Sequence, residues 1–313
     1  MIQQPQSLFP ALRRRTPLFE PAYRAWVGAG RKRPQIWRLI PGLLLIFGCW
    51  ALTSFLSLYL GGLWALAGSG VEDVDPVEAF FSMPSRASGL FVLSSFSGIW
   101  IGVWLALRLC HRRSFTPLLA ARGHWRTAEL FLGLVIALGF ASFVMVLNGL
   151  SGAEVPFKVS NLTDWGLLLV PLLALVVVQA GGEELIFRGY LQQQLAARSR
   201  NPLIWLVLPS ILFGLLHPIG IGYVFSTFLF AMAAGVIVWR TGSLAGAIGV
   251  HTGNNLVHFG LIGPNEMADS LFQADWADQN IALSDYLVST AFFLLLLIWG
   301  LSSRSPFPFK RDP

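Results

Sequence analysis

Long apolar runs are the feature of this sequence that most restricts its fold. A bilayer core about 30 Å thick needs roughly 20 apolar residues of helix to cross it. A helix also bonds every backbone N–H and C=O within its own segment, which hydrocarbon demands. We therefore predict an all-α, polytopic membrane protein with about eight transmembrane helices. The runs are 39–66, 89–109, 129–150, 165–195, 202–217, 220–239, 243–262 and 282–301.

Composition and charge agree with a membrane protein. Of 313 residues, 55% are hydrophobic and 12% charged, and the mean hydropathy is +0.63. The net charge of +6 does not indicate a nucleic-acid partner, because the basic residues follow a membrane topology. They concentrate before residue 39 and in the loop after residue 109, whereas the loops on the other side of the membrane are acidic. Basic loops stay cytoplasmic. We expect a bacterial-type plasma (inner) membrane protein with both termini in the cytoplasm.

The same pattern divides the chain into three parts. Residues 1–38 form a basic cytoplasmic juxtamembrane arm, which should attract anionic lipid headgroups. Residues 39–303 form the eight-helix membrane domain, and residues 304–313 form a basic cytoplasmic tail.

The fourth run carries Glu183, Glu184 and Arg188, charges that are costly within a membrane and therefore indicate a functional site. Glu184 and Arg188 are four residues apart and share a helix face, so they should pair. Glu183 points about 100° away, where it could act as a general base. A plain ion pair that fixes helix register is the alternative. The preceding Gly181-Gly182 predicts close backbone approach or local unwinding.

Two later runs carry polar residues at a similar depth. The fifth run ends with Phe213 and His217, and the seventh carries His251 and Asn255 on one face. In an antiparallel hairpin, Glu183 and His217 lie at the same distance from the turn. The spacing permits one cluster of Glu183, His217, His251 and Asn255 between helices 4, 5 and 7, nearer the cytoplasmic side.

These motifs resemble those of the CPBP family, the CAAX prenyl protease and bacteriocin-processing (Abi-type) intramembrane endopeptidases. The E-E-x-x-x-R, F-x-x-x-H and H-x-x-x-N elements occur in family order within residues 165–262, which we assign as the catalytic core. The resemblance implies hydrolysis of peptide bonds in membrane-associated or CAAX-like substrates. It implies catalytic roles for Glu183, His217, His251 and Asn255, and supporting roles for Glu184, Arg188 and Phe213.

Two mechanisms remain open at this point. In one, Glu183, His217 and His251 hold a Zn²⁺ ion that activates water, as in a metalloprotease. In the other, Glu183 and His217 activate water directly, while His251 and Asn255 donate hydrogen bonds to the oxyanion. The sequence lacks H-E-x-x-H, which favours the metal-independent mechanism.

Two other classes of protein also bury Glu and His in membrane helices. One is a transporter or proton relay, and the other is a haem-binding electron carrier. Three motifs in family order within one third of the chain favour the peptidase.

Overall fold

The computed structural model describes residues 21–67, 69–71, 73–83, 85, 87–121, 125–150, 166–217, 220–261 and 283–307. Most of these residues are helical, and no β-strand occurs among them. The predicted all-α class is therefore confirmed for the described part of the chain. Residues 1–20 of the predicted basic arm and residues 308–313 of the predicted tail lie outside the described residues.

Each of the eight apolar runs contains a long or medium helix. Short 3₁₀ turns at Ile36–Arg38 and Gly166–Leu168 precede two of the helices, and π-helices occupy Leu185–Leu191 and Leu203–Val207. The α-helices are α1 Pro21–Gly30, α2 Leu39–Ala67, α3 Pro76–Ser82, α4 Ser88–Ser95, α5 Ser97–Leu109, α6 Thr116–Leu119, α7 Thr127–Leu150, α8 Leu169–Glu184, α9 Gln192–Arg198, α10 Leu208–Leu215, α11 Ile221–Thr241, α12 Ala245–Leu261 and α13 Leu283–Leu301.

Four helical segments among the described residues are long and apolar enough to cross a membrane. They are Ile36–Ala67, Ser88–Leu109, Gly166–Arg198 and Ile221–Thr241. Only 11% of the most apolar window of Ile36–Ala67 is buried within the protein, so nearly all of that helix presents apolar surface to its surroundings. Such surface is typical of an integral membrane protein.

Three further apolar stretches are shorter than these four. They are Thr127–Phe143, Leu203–Leu215 and Val288–Leu301. The count of eight spans and the cytoplasmic placement of the termini stay predictions. The helix of the fifth run ends at Leu215.

The main hydrophobic core surrounds the middle of the Gly166–Arg198 segment. Every residue of the π-helix Leu185–Leu191 is buried. The core around it includes Phe213, Phe230 and a buried row of small and branched side chains in α11 and α12. The segment that carries the charged motif is therefore enclosed by other helices, and its polar side chains must find partners within the protein.

The π-helices were not predicted from the sequence. Leu185–Leu191 continues directly from α8 after Glu184, and Leu203–Val207 leads into α10. A π-turn has a wider hydrogen-bonded ring than an α-turn, and such turns occur frequently at functional sites. Both runs are apolar on nearly all sides, so the sequence offers no periodic pattern that would reveal the change in helical pitch.

Part of the predicted basic arm is a packed helix. In α1, Tyr23, Trp26 and Val27 are fully buried. The Trp26 indole Nε1–H donates to the Leu118 carbonyl at 2.8 Å, and the Gln193 amide donates to the Trp26 carbonyl at 2.9 Å. Residues 21–30 thus belong to the folded core and not to a free surface segment.

Helices α7 and α12 pack through glycine. A Cβ atom added at Gly249 would collide with the Leu130 carbonyl, and one at Gly133 would lie 2.7 Å from the Val250 nitrogen. Small residues let membrane helices approach closely. This close approach fixes α12, which carries His251 and Asn255, against α7.

The first prediction tests this packing. Gly249→Val should lower the free energy of unfolding by about 1–3 kcal/mol or more, because the added side chain meets backbone that cannot move away. Gly139→Val is the matched control, since nothing lies within 4 Å of a Cβ added there. Thermal unfolding of the two purified variants measures the stability of each. Equal melting temperatures would contradict the close α7–α12 packing.

The second prediction concerns orientation. Single cysteines are introduced at the exposed positions Glu78 and Arg200, with Cys49 and Cys110 replaced by alanine. An impermeant maleimide added to intact cells should label position 78 and not position 200, because only the first lies in an acidic loop, which we predict to face outward. The reverse labelling would show that the predicted orientation is wrong.

Candidate active site

The carboxylate pair lies at the end of α8, where this helix packs against α5. A Cβ atom added at Gly181 would lie 2.6 Å from the Trp100 ring, and the Trp100 indole donates to the Val178 carbonyl at 2.9 Å. The two glycines therefore allow close approach of α5, as predicted. Local unwinding at Gly181-Gly182, the other expectation, is wrong, because α8 continues through both residues to Glu184.

The Glu184 side chain is completely buried, and one of its oxygens contacts two side chains, Arg188 and His251. Its Oε1 accepts a hydrogen bond from the Arg188 Nη1–H at 3.0 Å, the pairing that the four-residue spacing predicts. The same oxygen lies 2.8 Å from His251 Nδ1. The Arg188 guanidinium also lies over the rings of Phe213, at 4.4 Å, and Phe230, at 5.4 Å. These contacts join α8 to the helices that carry the other motifs.

Glu183 has a different environment from its neighbour. Its Oε1 accepts from the Gln179 amide at 2.7 Å, while its Oε2 has no hydrogen-bond partner among the described residues and lies 3.6 Å from His251 Nε2. The side chain is 15% exposed, against 0% for Glu184. Glu183 is thus the more accessible of the two carboxylates, and it lacks a direct arginine partner.

His251 lies between the two glutamates. Because the Glu184 carboxylate can only accept when it is ionised, His251 Nδ1 carries the proton of the 2.8 Å bond. This bond fixes the orientation of the ring and turns Nε2 toward Glu183. The Phe230 ring packs edge-on against the imidazole, with centroids 4.9 Å apart. The position of His251 is therefore set from two sides.

Asn255 reaches the site through a residue that the motifs do not include. Its amide donates to Gln179 Oε1 at 2.7 Å, and Gln179 in turn donates to Glu183. Gln179 precedes Glu183 by four residues and so lies on the same helix face. A glutamine in an otherwise apolar run at that spacing was the available signal, and the sequence reasoning missed it.

His217 lies two residues after the end of α10. Its Nδ1 is 2.8 Å from the Phe213 carbonyl, which can only accept, so Nδ1 carries the proton and Nε2 is left with a free electron pair. The Phe213 ring contacts both histidines, with its centroid 4.6 Å from His217 and 6.0 Å from His251. No direct bond joins His217 to Glu183 or His251 among the described contacts.

Contacts of Phe213 place His217 close to the helix that carries the glutamates. Phe213 contacts Phe187, with ring centroids 5.1 Å apart, and it also faces Arg188. The structure thus links Glu183, Glu184, Arg188 and His251 by direct contacts, while Asn255 joins them through Gln179 and His217 joins them through Phe213.

A zinc site formed by Glu183, His217 and His251 does not fit this geometry. The described residues, which include all three, contain no group of three or more His, Cys, Asp or Glu side chains placed to hold a metal ion. The described contacts of His217 are with Phe213 and Tyr223, and none of them joins it to Glu183 or His251. We therefore assign no chemical step to a metal at these residues.

Comparison with known proteins supports the resemblance seen in the motifs. Residues 165–257 match the family model described as type II CAAX prenyl endopeptidase Rce1-like. The chain is also 28% identical over 238 residues to the uncharacterized protein YyaK of Bacillus subtilis, a match that covers 71% of this chain and 76% of that protein. No solved structure matches. The similarity to YyaK therefore extends beyond the segment that carries the motifs.

The third prediction tests the buried ion pair. Arg188→Ala should cost about 3–5 kcal/mol of stability, because it leaves the buried Glu184 carboxylate without its cation. Arg126→Ala is the comparison, since Arg126 pairs with Glu129 at 3.1 Å but is itself 25% exposed, against 2% for Arg188, so its loss should cost less stability. The melting temperatures of the two purified variants measure this difference in stability. An Arg188→Ala protein as stable as Arg126→Ala would contradict a structural role.

Proposed function

Because residues 165–257 match the Rce1-like CAAX endopeptidases, we propose that this chain is an intramembrane endopeptidase. It hydrolyses peptide bonds in membrane-embedded or membrane-associated, CAAX-like substrates with a water that Glu183 activates. The observation that carries the proposal is the contrast between the two adjacent carboxylates: Glu184 is 0% exposed and pairs with Arg188 and His251, while Glu183 is 15% exposed and has no arginine partner among the described contacts.

Glu183 is the general base in this mechanism. The hydrogen bond from Gln179 holds Oε1 and so fixes the carboxylate, which leaves Oε2 to take a proton. A base must lie within hydrogen-bond reach of the proton that it removes. Glu184 is a poor candidate, because its side chain is 0% exposed and its Oε1 already accepts from Arg188 and His251.

His217 orients the water in this mechanism. Its Nδ1–H is bound to the Phe213 carbonyl, so its Nε2 accepts a hydrogen bond from the water. His251 and Asn255 stabilise the oxyanion. Asn255 keeps one amide hydrogen after its bond to Gln179, and an imidazolium at His251 would offer an N–H at Nε2 in addition to the one that Glu184 accepts. Donors placed in advance where charge develops are a large source of rate enhancement.

The reaction balances with these groups alone. Glu183 takes one proton from water as the water oxygen bonds to the peptide carbonyl carbon. The carbonyl oxygen becomes an oxyanion, which His251 and Asn255 bind. Collapse of this intermediate breaks the C–N bond, and Glu183 returns the proton to the leaving amine. Glu184, Arg188 and Phe213 support the site: Glu184 orients His251, Arg188 neutralises Glu184, and Phe213 contacts both histidines.

A proton relay in a transporter is a second candidate. The position of His251 between Glu183 and Glu184 favours it, because three titratable groups in contact can pass a proton. Reconstituted vesicles separate the two functions. Peptide cleavage without proton flux supports the peptidase, whereas Glu183-dependent proton flux without cleavage supports the relay.

The fourth prediction separates the two glutamates. Glu183→Gln should lower turnover by about 10²–10⁴-fold with an unchanged melting temperature, because the amide cannot accept the proton of the water. His217→Ala should also lose activity. Glu184→Gln should lose activity and stability together, because it weakens the contacts to Arg188 and His251. Glu129→Gln, a buried glutamate outside the site, is the control.

The substrate for this assay comes from comparing membrane peptides of cells that carry wild-type or Glu183→Ala protein. Near-normal turnover of Glu183→Gln beside an inactive but stable Glu184→Gln protein would exchange the two roles. Normal turnover in both variants would overturn the proposed peptidase mechanism. A chelator should leave turnover unchanged, and a loss of turnover that Zn²⁺ restores would contradict the metal-independent mechanism.

A further inference from the structure

A polar pocket separate from the motif site lies where α1 meets the loop that follows α5. Its volume is about 250 Å³. None of the residues that line it is acidic, and two of them, Lys32 and Arg113, are cationic. The lining residues are Gly28, Ala29, Lys32, Arg113, Ser114 and Pro117.

Arg113 is a buried charge without a carboxylate. It is 7% exposed, and its Nη1–H donates to Gln193 Oε1 at 2.6 Å. Its Nε and Nη2 are buried from solvent and have no hydrogen-bond partner among the described residues. Burial lowers the pKa of the guanidinium to about 10, so the group stays charged at neutral pH. Buried charges in proteins are normally paired, and two donors of this one are not.

The guanidinium is held in a fixed position. Gln193 is itself fully buried, and its amide donates to the carbonyls of Trp26, at 2.9 Å, and Pro117, at 3.2 Å. The acceptor end of Gln193 is thereby aimed at Arg113. A rigid arginine with two adjacent free N–H groups matches two oxygens of a phosphate group in a bidentate arrangement.

Further positive charge surrounds this arginine. Lys32 and Arg112 are exposed or partly exposed, and Arg33 is half-buried. Burial lowers the pKa of the nearby His111 to about 4, and the charges of Arg113, Arg38 and Arg33 contribute to that shift. This cluster of like charges therefore repels a proton and would attract an anion.

We propose that the pocket binds a phosphate group, with Arg113 as the bidentate donor and Lys32 as a second charge. The phosphate comes from a phospholipid headgroup or from a soluble phosphate compound. The position of the pocket fits both sources, because its lining residues precede the apolar helix α2 and follow the apolar helix α5, on the side predicted to face the cytoplasm. This proposal does not depend on the peptidase activity.

The test measures the melting temperature of the purified full-length protein in uncharged detergent. One arm compares added sodium phosphate with sodium chloride of equal ionic strength. The other arm compares micelles that contain phosphatidylglycerol with micelles that contain phosphatidylcholine. The variants are Lys32→Glu and Lys32→Ala, with Arg31→Glu as the matched control, since Arg31 is exposed and does not line the pocket.

The wild-type protein and Arg31→Glu should both melt at a higher temperature in phosphate than in chloride, or in phosphatidylglycerol than in phosphatidylcholine. In Lys32→Ala, the half-saturating phosphate concentration should rise about tenfold, the loss expected for one charge-assisted hydrogen bond. Lys32→Glu should lose the response and melt at a higher temperature than wild type without any phosphate, because the new carboxylate pairs with Arg113. A merely structural lysine would not give this gain.

The two arms identify the source of the phosphate. Stabilisation by phosphate alone indicates a soluble phosphate compound. Stabilisation by phosphatidylglycerol alone indicates a lipid headgroup, and stabilisation by both indicates a site that accepts a phosphate group from either source. Two results would overturn the proposal. One is a wild-type protein that melts no higher in phosphate than in chloride and no higher in phosphatidylglycerol than in phosphatidylcholine. The other is an equal response of Lys32→Glu and Arg31→Glu.

Discussion

The site depends on one buried carboxylate. Glu184 is inaccessible to solvent, and its Oε1 contacts both the Arg188 guanidinium and His251 Nδ1. Burial of an unpaired charge would cost several kcal/mol, so these partners are required for the fold. They also come from different parts of the structure, because Arg188 lies in the π-helix and His251 in α12. Through Arg188, the same contact extends to the rings of Phe213 and Phe230.

This arrangement gives two adjacent glutamates different properties. Glu184 contacts Arg188 and His251 Nδ1. Glu183 is rotated by one helical step, so it faces Gln179 and His251 Nε2. A group that serves stability and a group that serves chemistry can thus lie side by side in the chain. The same histidine contacts both, so a change at the structural glutamate also moves the imidazole that faces the proposed base.

Much of this site could be predicted from the sequence, because charge is rare in apolar helices and helical spacing is regular. The four-residue spacing predicted the Glu184–Arg188 pair, and Gly181-Gly182 indicated the close approach of α5. The contact between His251 and Glu184 joins residues 67 positions apart, and local spacing carries no information on such a contact. Gln179 lay at an informative spacing but belongs to none of the motifs.

Other features could not be read from the sequence for physical reasons. Leu185–Leu191 is apolar on every side except Arg188, so nothing in its pattern separates a π-helix from an α-helix. The segment 21–30 contains Arg24 among small and aromatic residues, and its basic surroundings suggested a surface arm. Its burial depends on Gln192 and Gln193, which bond to Tyr23 and Trp26 from the far end of the motif helix.

The central claim is that Glu183 activates a water that cleaves a peptide bond. The most direct measurement incubates membranes that contain wild-type or Glu183→Gln protein in ¹⁸O-labelled water and analyses the peptides by mass spectrometry. We expect new C-termini that carry one ¹⁸O atom in the wild-type sample and are absent from the Glu183→Gln sample. Labelled C-termini of equal abundance in both samples, or none in either, would contradict the claim.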